Sequence, residues 1–218
     1  MVAAGRTDDD HGDDQGGDSP DGRAVDGRVA RRQRNQDVVL DAVLAMFAED
    51  MMLPTIEQTA KRSGLSLRSL YRYFADPAEL VEAAISRSQE TTAELARLPH
   101  IGQGPLDRRL DEFVSMRVRL HDALGPMYRA TVHNAAANAR VRAALTSSRR
   151  RLREQFELQF APELATMPTR ARATARAAGD VLTQMDSIDL LRRERNLSAA
   201  ETRRVLRDGV AALLSPPG

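Results

Sequence analysis

The chain has 218 residues, a formal net charge of +1, 42% hydrophobic but only 4% aromatic residues, and no cysteine. The missing thiols exclude disulfides, thiol redox chemistry and thiolate-bound zinc, and they fit a reducing compartment. A core short of aromatics must be built from Leu, Val, Ala, Ile and Met, a composition that favours helices.

Residues 1–30 hold eight Asp against three Arg, set among Gly, Ser and Pro. So acidic and weakly apolar a segment is expected to be a disordered tail, and no apolar stretch follows the start as a signal peptide requires. Arg31-Arg32-Gln33-Arg34 forms a short basic arm, suited either to phosphates and a minor groove or to a solvated helix start. A first helix is expected from about Asn35 to Glu49, burying Leu40, Val43, Leu44 and Phe47.

The most informative stretch runs from Thr55 to Leu80. Thr55 and Gln58 have the spacing of a capping box, Gly64 suits a helix stop, and Ser66 suits the cap of the next helix about three residues on. In that second helix Leu67, Leu70 and Phe74 are expected to be buried, leaving Arg68, Ser69, Tyr71, Arg72 and Tyr73 outward. A face with two guanidiniums, two phenols and no acid suits the phosphates and base edges of a DNA major groove. Asp76, Pro77 and Glu79 have the order of a capped start to a further helix.

From Asp37 to Leu80 the chain resembles the DNA-binding domain of the TetR family of transcriptional regulators. The resemblance rests on Val39, Leu40, Val43 and Phe47, then Thr55, Ala60, Gly64-Leu65-Ser66, Leu70-Tyr71, Phe74 and Leu80. Three positions depart from the family: Met51 stands where Gly is usual, Thr59 where Ile is usual, and Pro77 where a phosphate-touching Lys is usual. The resemblance implies an all-α fold, with a three-helix helix-turn-helix DNA-binding domain at 31–76 and a helical ligand-binding and dimerisation domain at 77–218. It also implies a fourth helix that couples the two parts.

Further along, a helix is expected from Pro77 to about Leu95, with Leu80, Val81, Ala84 and Ile85 inward, followed by a Pro- and Gly-rich loop at 98–105. Helical periodicity resumes at Leu106 and is expected to break at Gly125-Pro126 before a short helix from Met127 to about Asn138. A longer helix spans Val141 to Phe160, and Pro162 and Pro168 bracket another break. One helix is expected from Thr169 to about Arg193. Ser198 and Glu201 form a second capping box opening a last helix, stopped by Pro216-Pro217.

The longest runs without Asp, Glu, Lys or Arg are ten residues, Ala130 to Ala139 and Gly209 to Gly218, against the ~20 apolar residues of a membrane span. No membrane partner is expected, and the location is expected to be cytoplasmic. No metalloprotease, nucleophile-elbow or phosphate-loop motif is present, so neither catalysis nor a cofactor or metal is expected.

The resemblance implies a homodimer, formed through the last two helices, that binds a pseudo-palindromic double-stranded operator and is released by a small-molecule effector. Ser66, Ser69 and Tyr71 would meet phosphates, Thr55 would cap the supporting helix, and Arg68 would read a base. Arg72 or Tyr73 would meet a base or a flanking phosphate. Polar groups among apolar ones nominate Met116, His121, Met127, Tyr128, His133, Asn134, Asn138 and Met185 for the effector pocket. The alternative reading is a helical adaptor without sequence-specific DNA binding, which leaves the outward Arg68, Tyr71 and Arg72 without a role.

Overall fold

The computed structural model describes residues 20–215, with side chains from residue 29 onward, and contains helices but no strand among them. The first helix, α1, runs Pro20–Asp50. The acidic stretch is therefore helical from Pro20 on; the rest of the expected tail, 1–19, lies outside the described residues. Before Val38, which begins a separate compact unit, Arg31, Arg32 and Arg34 are exposed and Gln33 donates to Asp37 at 3.2 Å.

From Val38 onward, α2 (Ile56–Ser63) and α3 (Leu67–Tyr73) follow α1 as a tight pair. Gly64 joins them at φ 71°, a left-handed conformation that glycine adopts without steric cost. Val39, Val43, Ile56, Ala60, Leu70, Tyr73, Phe74 and Leu80 form their common core. The buried stripe of α3 is thus Leu70, Tyr73 and Phe74, at i, i+3 and i+4. Leu67 is 42% exposed, contrary to expectation, because one turn earlier it falls at the solvent end of so short a helix.

The helix α4 (Pro77–Leu95) starts as expected, with Asp76 accepting from the Glu79 N–H at 2.8 Å and Pro77 at its first position. After the loop comes α5 (Leu106–Asn134), unbroken through Pro126. The expected break is absent: α5 packs against α4, α6, α9 and α10, and burial along its length holds the turn that Pro126 weakens. The helix α6 (Ala139–Gln159) is capped by Asn138, whose side chain accepts from Arg140 and Val141 N–H.

A short α7 (Ala161–Thr166) fills the expected break between the prolines. The single helix expected over 169–193 is instead α8 (Thr169–Thr183), an extended Gln184, α9 (Met185–Asp189) and a π-helical turn, Leu190–Glu194. The last helix, α10 (Ala199–Leu214), carries the full Ser198–Glu201 capping box. Phe113, Phe156 and Phe160 pack edge-on or tilted, with ring centroids 5.1–5.9 Å apart, at the centre of a second core shared by α5, α6, α8 and α10. No helix among the described residues is long and apolar enough to cross a membrane.

Candidate nucleic-acid interface and internal cavity

The helix-turn-helix is fixed by local hydrogen bonds before any long-range packing. Thr55 Oγ1 accepts from the Gln58 N–H at 3.2 Å, and Gln58 Oε1 accepts from the Thr55 N–H at 2.8 Å. Thr59, wholly buried, donates its hydroxyl to the Thr55 carbonyl at 2.9 Å, which satisfies a polar side chain in an apolar core. At α3, Ser66 Oγ accepts from the Ser69 N–H at 3.2 Å, and the two hydroxyls share a hydrogen bond at 3.0 Å. Arg62 of α2 meets Glu49 of α1 at 2.8 Å.

Arg68, Tyr71 and Arg72 are exposed on α3, Tyr71 by 52%, with Ser66 and Ser69 at its start. Arg68 has no hydrogen-bond or ion-pair partner among the described residues. Arg72 donates to Tyr73 Oη at 3.2 Å, and its guanidinium lies 5.2 Å from the centre of the Tyr73 ring. Tyr73 corrects the sequence reading: it is 6% exposed and its ring is part of the core. Its hydroxyl serves to orient Arg72.

Met51, in the link between α1 and α2, sits at φ 59°. A glycine would hold this conformation at no steric cost, and nothing in the structure explains why methionine stands here instead. Asn134, at the end of α5, donates to the Met51 carbonyl at 2.7 Å and to the Ala130 carbonyl at 2.8 Å. Arg140 meets Glu82 at 3.5 Å, and Arg87 meets Asp41 at 3.4 Å.

Behind the helix-turn-helix lies a cavity with about 910 Å³ of empty space, counting its open mouth. Its wall comes from Val43, Leu44 and Phe47 of α1, Leu53, and Val81, Ile85, Ser88, Gln89 and Thr92 of α4. Further wall comes from Leu120, Leu124, Met127, Tyr128 and Thr131 of α5, Val141, Leu145, Ser148, Arg149 and Leu152 of α6, and Met185. Tyr128 donates to Asp186, and Arg149 donates to both oxygens of Asp186, at 2.7 and 2.9 Å, and to Tyr128 Oη at 3.1 Å. Burial, then the Asp186 carboxylate, raises the Tyr128 phenol above its ordinary value, so it stays a neutral donor. Burial alone would pull Arg149 down, but Tyr128 and Asp186 outweigh it and hold it above its ordinary range.

Of the sequence-nominated pocket residues, Met127, Tyr128 and Met185 line this cavity. Met116 does not: it is wholly buried in the second core, as unbranched side chains that fill gaps usually are. His121 faces a separate polar cleft, where its Nε2 lies 3.1 Å from Asp189, which Arg129 also meets at 3.0 Å. His133 is exposed, Asn134 is spent on Met51, and Asn138 caps α6. The apolar residues of the α1 and α4 wall, Val43, Leu44, Phe47, Val81 and Ile85, read in the sequence only as core, and Ser88, Gln89 and Thr92 beside them were not nominated.

No protein-family model matches the chain, and no curated protein matches it. Solved structures do. A TetR-family transcriptional regulator from Streptomyces coelicolor is 24% identical, with 83% of this chain and 80% of that chain covered at a TM-score of 0.66. A Rhodococcus sp. protein assigned to the same family is 15% identical, covering 84% of this chain and 100% of its own at 0.67. A transcriptional regulator from Rhodococcus sp. Rha1 is 16% identical, covering 82% and 95% at 0.61. The chain has the fold of TetR-family transcriptional regulators, an all-α helix-turn-helix part followed by a helical C-terminal part.

Proposed function

We propose that the chain is a ligand-responsive transcriptional regulator, a repressor that binds a pseudo-palindromic operator as a homodimer and is released by a small molecule. The observation that carries this reading is the acid-free outer face of α3, on which Arg68 stands unpaired between a capped helix start and exposed Tyr71 and Arg72. Ser66, Ser69 and Tyr71 meet phosphates, Arg68 a base edge, and Arg72, steadied by Tyr73, a base or a flanking phosphate.

Residues 31–76 then form the reading head and residues 77–218 the effector and dimer part. Dimerisation is supported by apolar side chains left in solvent on the late elements: Val181 on α8, Leu190 on the π-helical turn and Val205 on α10. Two heads related by a two-fold axis need a roughly palindromic site. The effector acts by favouring a dimer whose heads no longer match successive grooves, an effect bounded by its differential affinity for the two states.

The test is anisotropy titration of a selected operator duplex at two salt concentrations with the parent and with Arg68→Ala. The expected loss is about 1–3 kcal/mol together with a relaxed preference at one base position, while the salt dependence stays near the parental slope. Equal weakening on every sequence, with a shallower slope, would place Arg68 on phosphate alone.

A further inference from the structure

The cavity's chemistry narrows what can occupy it. Of the polar groups on its wall, most are already committed within the chain. Thr92 donates its hydroxyl to the Ser88 carbonyl at 2.7 Å, and Thr131 donates to the Met127 carbonyl at 2.8 Å. Ser148 Oγ accepts from Arg151 at 3.2 Å. Arg149, the one charged wall residue, is matched by Asp186, with Tyr128 closing the cluster. The Ser88 hydroxyl and the Gln89 amide, neighbours on α4, have no side-chain partner among the described residues, and the Ser148 hydroxyl keeps its proton to donate. The rest of the wall is largely hydrocarbon, Val43 and Phe47 of α1 included.

We propose that the cavity takes an electrically neutral, lipophilic small molecule whose single hydrogen-bonding group meets Gln89 and Ser88 while its hydrocarbon body lies against Val43 and Phe47. Arg149 already faces the Asp186 carboxylate, which matches its charge, so an anion gains little from it, and a charge elsewhere on the wall lies unpaired against hydrocarbon. The occupant touches α1 and α4 together, so it wedges the reading head directly and needs no relay through the C-terminal helices. This deepens the ligand-responsive reading above and rests on it.

The test uses the purified full chain and two naphthalene dyes of similar shape. N-phenyl-1-naphthylamine is neutral; 8-anilinonaphthalene-1-sulfonate is an anion. Fluorescence titration is expected to show saturable binding of the neutral dye, about tenfold or more tighter than the anion. Ala144 of α6 also lines the cavity, and Ala144→Phe, which fills it, is expected to weaken the neutral dye about tenfold. Should that variant fail to unfold cooperatively, hydrogen exchange on the parent replaces it, with dye-dependent protection expected at 43–47 and 85–92.

Equal or tighter anion binding, no saturable neutral binding, or protection confined to other helices would overturn the proposal. Operator anisotropy measured with the neutral dye present separates the two readings. A dye that binds as expected but leaves operator affinity unchanged confirms the cavity's chemistry and contradicts the ligand-responsive reading instead.

Discussion

At the scale of single residues, two positions show how physical chemistry overrides residue type. Arg117 is wholly buried, donating to Gln155 Oε1 at 2.9 Å and to the Leu152 carbonyl at 2.6 Å, with its guanidinium 4.5 Å from the centre of the Phe113 ring. Its Nε has no partner. Burial pulls its value down to about 9, with Asp180 opposing. A base held low in the fold binds fewer protons folded than unfolded between about 9 and its ordinary, higher value, so its contribution to stability rises with pH across that window. At neutral pH the cation is present and its burial penalty is undiminished. Arg117→Ala is expected to cost about 3–5 kcal/mol in urea unfolding, whereas Arg117→Met, which keeps the volume and removes the unpaired donor, costs less than about 1.5.

Met51 carries the opposite sign. Relieving its left-handed conformation in Met51→Gly should raise stability by about 0.5–1 kcal/mol, after allowing for the freer unfolded chain. No gain would mean that the Asn134 hydrogen bond and the half-buried Met51 side chain hold this turn without strain.

At the scale of elements, capping signals were the most legible part of the sequence, because a cap is a local hydrogen bond between residues three apart. Thr55–Gln58, Ser66 and Ser198–Glu201 all form as their spacing implies. Ser198→Ala is expected to cost about 1 kcal/mol in thermal or urea unfolding. The Ser198 hydroxyl, then its backbone N–H, holds the Glu201 carboxyl low. That contribution is complete above the ordinary carboxylate range and is lost as pH falls through the lowered value.

Element ends set by tertiary packing were not legible. Pro126 reads as a breaker, yet α5 continues through it because neighbours on several sides hold both halves. Pro126→Ala restores the missing donor at an exposed site and should stabilise by about 1–3 kcal/mol. Tyr73 and Leu67 exchanged places for a related reason: in a helix as short as α3, the core of the neighbouring helices decides which face is buried. Gly179 marks another tertiary constraint, since a Cβ there would lie 2.0 Å from the Phe156 ring; Gly179→Ala should cost about 1–3 kcal/mol.

At the scale of the whole molecule, the core beneath the proposed reading helix and the wall of the cavity share the same helices, α1 and α4. The side of α1 and α4 that packs under α3 continues into the wall of the cavity, with Val43 and Ala84 belonging to both. That continuity could not be read from the sequence. The cavity is assembled from α1, α4, α5, α6 and α9, and no single segment carries a pattern for it. Polar markers pointed to His121, His133 and Asn134, which are bound elsewhere or exposed, while the apolar wall left no local signal.

The central claim is that α3 reads DNA from a dimer, and selection of bound sites from a random duplex library by the purified chain tests it most directly. The account predicts recovery of a pseudo-palindrome bound by two chains, with affinity falling steeply as salt rises. Arg68→Ala should recover a related site more weakly, with the preference relaxed at one base position. No enriched site, with Arg68→Ala and Tyr71→Ala behaving as the parent does, would contradict the account and leave the helical adaptor as the better reading.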